Sequence, residues 1–179
     1  SIQEHFNLES AKRLLRVHGK ADVLIARQII EHTYDFRGFI EASKQLISPG
    51  GYIVFEIPDC ERALDKYDYT TVWEEHTIYF TGKTFRNCFG LLGLSLIHFE
   101  NIPYPIEDSY VAIVKVNTSL NAFTPREDHL NLEISRVEKF VNGYENKKNM
   151  IKKFLAECRQ KQEKVVLFGG GHMSCVFLN

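Results

Sequence analysis

Two short apolar runs, Ala21-Asp22-Val23-Leu24-Ile25-Ala26 and Tyr52-Ile53-Val54-Phe55-Glu56-Ile57, constrain this chain more than any other feature. Both are too short for ordinary helices and too continuously apolar for strands with one wet face, so each reads as a strand buried on both faces, as parallel strands are. Each also follows a segment of helical period. Residues 8–18 set Leu8, Ala11, Leu14, Leu15 and Val17 among charged neighbours and stop at Gly19. Residues 34–47 set Phe36, Phe39, Ile40, Ala42 and Leu46 on one side and stop at Ser48-Pro49-Gly50-Gly51. Helix, strand, helix, strand is the rhythm of an α/β fold with a parallel, doubly wound sheet.

The rhythm lapses at residues 59–81, which read as a long polar and aromatic loop holding the single tryptophan. A loop of that length inside a compact domain is a functional loop or a disordered one, and its aromatic content favours function. A helix is expected at residues 82–92, closed by Gly93. Strands are expected at 94–101 and 110–116; with no helix between them they should pair antiparallel. Residues 117–125 have the character of a linker. Residues 129–161 are helical in period, with Gly143 and the Asn-Lys-Lys-Asn cluster at 146–149 placed to divide them into two helices. Residues 164–168 read as a strand running into Gly169-Gly170-Gly171-His172 and a helix start, the opening of a second α/β unit.

Composition removes several functions. Among 179 residues, 22 Lys and Arg balance 23 Asp and Glu, so no global field favours nucleic acid as the main partner. No apolar run is long enough for a membrane span of about 20 residues, and the first residues, Ser-Ile-Gln-Glu-His, lack the basic and then greasy order of a signal peptide. A cytoplasmic protein is expected. Its four cysteines form no C-x-x-C pair and have no close histidine partner in sequence, so neither a zinc knuckle nor a disulfide scaffold is expected, and no metal site.

The order of elements resembles the second half of a class I S-adenosylmethionine (SAM) methyltransferase domain. Ala21 to Arg27 followed by Ile30-Glu31-His32 looks like that superfamily's fourth strand and the segment after it. Leu46-Ile47-Ser48-Pro49-Gly50-Gly51-Tyr52 resembles the L-x-P-G-G turn before its fifth, and an antiparallel pair ends its sheet. Glu75-His76-Thr77-Ile78-Tyr79-Phe80-Thr81 is similar to the E-H-x-x-Y-F-S segment of the sugar C-methyltransferases, and Val165 to His172 fits the strand and glycine turn that open their C-terminal domain. The resemblance implies SAM as cofactor and a nucleotide-linked keto-deoxysugar as substrate. It departs from the family at Trp73, where a tyrosine is common; the family's glycine-rich cofactor loop and zinc-binding segment are expected before the stretch that residue 1 opens. It also implies that the chain begins midway through the sheet and by itself binds SAM poorly.

Methylating carbon requires a base for the proton beside a carbonyl, a partner for the enolate oxygen, and orientation of both reactants. The resemblance makes His76 the base, because a neutral imidazole can accept that proton near pH 7. Glu75 and a nearby tyrosine, Tyr67, Tyr69 or Tyr79, support it, and His32, at the carboxyl edge of the sheet, is the candidate enolate-stabilising donor. Ala26, Arg27 and Gln28 at the strand end face the cofactor; Trp73, Gly169, Gly171 and His172 are the substrate-binding candidates. The expected division is a methyltransferase half-domain at residues 1–118, a helical segment at 119–163 and the start of a Rossmann-like domain at 164–179. Two further readings stay open: an O- or N-methyltransferase of a small metabolite, and a non-catalytic binding or assembly module. A homo-oligomer is open as well.

Overall fold

The computed structural model describes residues 2–105, 107–116 and 127–178, in two compact units. The first holds residues up to Cys60 together with those from Glu75 onward to the hairpin; the second holds Glu61–Glu74 and the C-terminal helices. The linker expected at 117–125 lies outside the described residues.

In the first unit, α1 (Leu8–His18) starts on a reciprocal cap. Asn7 Oδ1 accepts from the amides of Glu9 and Ser10 at 2.9 and 3.0 Å, while Ser10 Oγ accepts from the Asn7 amide at 2.9 Å. These bonds satisfy donors that a helix start otherwise leaves to water. β1 (Ala21–Arg27) leads into a single 3₁₀ turn, Ile30–His32, and then α2 (Phe36–Leu46), whose cap is Asp35 accepting from Gly38 N at 2.8 Å. β2 (Ile47–Pro58) follows, then α4 (Gly82–Leu91), β3 (Leu94–Ile102) and β4 (Ser109–Val116). Between β2 and α4 the chain visits the second unit as α3 (Glu61–Lys66) and a 3₁₀ turn, Tyr69–Thr71.

The sheet order is β1-β2-β4-β3, with β1 and β2 parallel and the other two pairs antiparallel. Period-two alternation sends Leu24, Ala26, Ile53, Phe55, Ile57, Tyr110, Ala112 and Val114 to one face, where they join Phe39, Ile40, Phe85 and Phe89 of α2 and α4 in one core. Phe55 and Phe89 stack with centroids 5.6 Å apart. Burying each such side chain contributes roughly 1.5–3 kcal/mol. α1 packs on α2 rather than on the sheet.

Five sequence expectations are corrected here. The two apolar runs are not buried on both faces: β1 leaves Val23 50% and Ile25 64% exposed, because the described helices cover only one side of the sheet. Ser48-Pro49-Gly50-Gly51 does not separate helix from strand but lies inside β2, where the β1 register slips between Ala21 opposite Ile47 and Val23 opposite Tyr52. Gly50 takes φ +84° in that irregularity, a backbone that glycine adopts without strain. Residues 59–81 are not one loop, since α3 and the 3₁₀ turn form within them.

The other two corrections concern the second unit. α5 (Glu127–Gln160) runs unbroken through Gly143 and the Asn-Lys-Lys-Asn cluster, and α6 (His172–Leu178) follows. A helical glycine costs only about 1 kcal/mol, and here its bare Cα admits a neighbour: a Cβ on Gly143 would stand 2.5 Å from the ring of Tyr67. Tyr69 donates to the Phe140 carbonyl at 2.6 Å, and Arg136 gathers Glu61, Asp65 and Glu133, each at 2.9 Å. Residues 164–168 form no strand; they pair with none of the described strands and Phe168 is fully exposed. A lone extended segment leaves its backbone donors and acceptors to water.

Candidate active site

At the carboxyl end of β1 the 3₁₀ turn carries Glu31 and His32 side by side. The extended segment of Thr77 and Ile78 is bonded to it: their amides donate to the Glu31 carbonyl at 2.8 and 3.3 Å, and Thr77 Oγ1 donates to the Thr33 carbonyl at 2.8 Å. These bonds bring His76, distant in sequence, to His32. The two imidazoles meet edge to face with centroids 4.7 Å apart, and the Tyr79 ring lies 5.6 Å from His76.

The orientation of His32 is set by a backbone group. Its Nδ1 lies 3.1 Å from the Glu75 carbonyl. A carbonyl oxygen only accepts, so Nδ1 donates, and in the neutral ring Nε2 keeps its lone pair. Glu75 therefore acts here through its main chain.

Glu31 is the residue that sequence reasoning missed. It is 2% exposed, and both its carboxylate oxygens lack a hydrogen-bond partner. Oε1 stands 3.9 Å from His32 Nε2, beyond hydrogen-bond reach. Burial raises its carboxyl above the ordinary glutamate range; the nearby amides of Glu31 and Ile29, neither in bonding geometry, and the His32 ring pull the other way without prevailing. Its only sequence signal was its place beside His32. Glu31, His32 and His76 each offer one ligating atom, and these atoms lie within 4.8 Å of one another.

The strand-end residues have separate fates. Ala26 is buried in the core. Arg27 makes a two-pronged pair with Glu56, opposite it in the parallel register, with Nε at 2.6 Å and the second nitrogen at 3.0 Å. That pairing raises the guanidinium's already high pKa. Gln28 is exposed and takes φ +50°, its amide donating to the Glu56 carbonyl at 2.8 Å. The backbone thus turns sharply at the sheet edge, where open α/β folds bind ligands.

The second unit gathers a different group. Trp73 stacks on His172 with centroids 4.2 Å apart, His172 Nε2 lies 2.8 Å from the Val72 carbonyl, and Nδ1 lies 3.6 Å from Glu74 Oε2. Gly169, at φ +135°, and Gly171 precede that histidine, with open space around Gly171. None of the four cysteines is in a disulfide; Cys60 and Cys158 are buried and Cys175 is exposed. None of the described helices is long and apolar enough to cross a membrane.

The family described as a methyltransferase domain matches residues 2–99, more than half of the chain, which therefore belongs to it. No curated protein matches. Among solved structures, the DhpI-SAM-HEP complex is similar at 18% identity over 54% of this chain and 50% of that one, with a TM-score of 0.41. A SAM-dependent methyltransferase from Anabaena variabilis is similar at 13% identity over 65% of this chain and 58% of that one, TM-score 0.46. One from Clostridium acetobutylicum gives 11% identity over 62% and 71%, TM-score 0.42. The chain spans about half the length of the first of these.

Proposed function

We propose that this member of the methyltransferase-domain family is part of a SAM-dependent C-methyltransferase acting beside the ketone of a nucleotide-linked deoxysugar, with His76 as its base. The observation that carries the reading is the His32 and His76 pair, held at the carboxyl end of β1 by the bonds of Thr77 to the Glu31 and Thr33 carbonyls. When bound, SAM supplies an electrophilic methyl group. Of the residues expected to hold it, Gln28 fits best: it is exposed on a left-handed turn at the sheet edge, whereas Ala26 is core and Arg27 would have to leave Glu56.

His76 takes the proton from the carbon beside the ketone. The electron pair of that C–H bond moves onto the carbonyl oxygen as an enolate, and the Tyr79 hydroxyl or a protonated His32 stabilises that charge. A carbon nucleophile needs this step, whereas oxygen or nitrogen methylation does not. The second unit, taken by itself, stacks Trp73 on His172, an aromatic surface of the kind on which a nucleotide base stacks, with open space around Gly171.

In the whole protein carrying this chain, His76→Ala is expected to lower kcat by about 10²- to 10⁴-fold, with SAM affinity little changed. Near-normal turnover sinks the assignment. The companion measurement is solvent deuterium exchange into the substrate carbon beside the ketone without SAM; its absence in the active wild type points to O- or N-methylation instead.

A further inference from the structure

We infer that Glu31, His32 and His76 form a binding site for a divalent cation of the zinc class. A carboxylate and two imidazoles are the ligand set of open zinc sites, which keep a fourth position for water or substrate. Ligands about 2.0–2.1 Å from zinc in a tetrahedron stand roughly 3.3 Å apart. The three ligating atoms here lie within 4.8 Å of one another, so closing the set shortens any pair by about 1.5 Å at most. Thr77 fixes the His76 segment to the Glu31 carbonyl, so the ligands from the two segments are already held side by side.

Two independent features point to a ligand. The first is Glu31 itself, a carboxylate 2% exposed whose two oxygens lack hydrogen-bond partners. A group buried in that way costs stability unless something compensates it, and a cation would. The second is the bond from His32 Nδ1 to the Glu75 carbonyl. A histidine that ligates a metal through one nitrogen commonly donates the other to a carbonyl or carboxylate, which fixes its tautomer and aims its lone pair. Here that leaves Nε2 on the side of Glu31 Oε1, 3.9 Å away. His32 keeps 39% of its side-chain surface exposed, so an ion has a path in.

The inference does not rest on methyl transfer. If His76 is the base, a cation on its nitrogen competes with the proton it must accept, and loading the site switches the base off.

The test is a titration of the chelator-treated chain with Co²⁺, followed by the visible ligand-field absorption of the bound ion and its displacement by Zn²⁺. One ion per chain is expected, with no thiolate-to-cobalt charge-transfer band. Glu31→Gln, which preserves shape, and His32→Ala, at a partly exposed position, should each weaken binding at least about tenfold, with circular dichroism confirming the fold. No binding, binding unchanged in both variants, or a thiolate band from the cysteines would each overturn the proposal.

Discussion

His32 with Glu31 and His172 with Glu74 are nominally the same pair, an imidazole and a carboxylate just outside hydrogen-bonding distance, at 3.9 and 3.6 Å. One sits in each unit, and their burial is reversed. Glu31 keeps 3% of its side-chain surface and His32 39%, whereas Glu74 keeps 83% and His172 17%. In the second unit water solvates the carboxylate, and the histidine is held instead by Trp73 and the Val72 carbonyl. The first unit hides the carboxylate without a donor, so its charge state depends on whatever sits beside it. Equal separations therefore carry unequal chemistry, because the energy of a charge depends more on its solvation than on one neighbour.

The widest contrast is kinetic. His76→Ala should cost orders of magnitude in kcat, whereas His172→Ala in the same protein should raise KM by about tenfold, about 1.4 kcal/mol of lost substrate binding, with kcat retained. A kcat collapse in His172→Ala would make the second cluster catalytic and erase the distinction.

Next comes the dependence of stability on pH in chelator-treated protein. Glu31 has its folded pKa raised, chiefly by burial. Below the ordinary glutamate range both folded and unfolded states are protonated and the group is silent. As pH rises from that range to the raised folded value, the unfolded chain releases the proton first, so the folded state is progressively destabilised; above that value the loss is constant. The slope from one group is at most about 1.4 kcal/mol per pH unit. Glu31→Gln should remove it, as read by urea unfolding followed by circular dichroism across that window. A persistent slope would assign the effect to other carboxylates.

The smallest effects belong to the pair of the second unit. Glu74→Gln should change stability by less than about 0.5 kcal/mol, since it loses only a screened surface interaction. Removing the ring beneath Trp73 by His172→Ala should cost about 1 kcal/mol in the second unit and shift the emission of the single tryptophan to the red. Unchanged emission would mean that the stack does not persist in solution.

What could be read in advance followed local periodicity. α1 was legible from Leu8, Ala11, Leu14 and Leu15 with the Gly19 stop, and the hairpin from two β-rich runs with no helix between them. The Ser-Pro-Gly-Gly segment misled because its composition signals a turn, while pairing with β1 draws it into an irregular strand. Gly143 misled because its propensity cost is small and Tyr67 fills the space it leaves. In the candidate site, His76 and His32 were legible through their motifs and their place after β1. Glu31 was not, since only the folded chain shows that a charged residue beside His32 is hidden and without a donor.

The outer edge of β1 has a practical consequence. Among the described residues β1 pairs on one side only, with β2, and its open edge carries the exposed Val23 and Ile25. Asp22 and Arg27 are the only charges along its seven residues, and it contains no proline. Such a row of unpaired amides and carbonyls is a template on which another copy can add a strand. One lysine in place of Ile25 would put a charge on that open edge, the device by which natural sheets discourage the addition of a further strand.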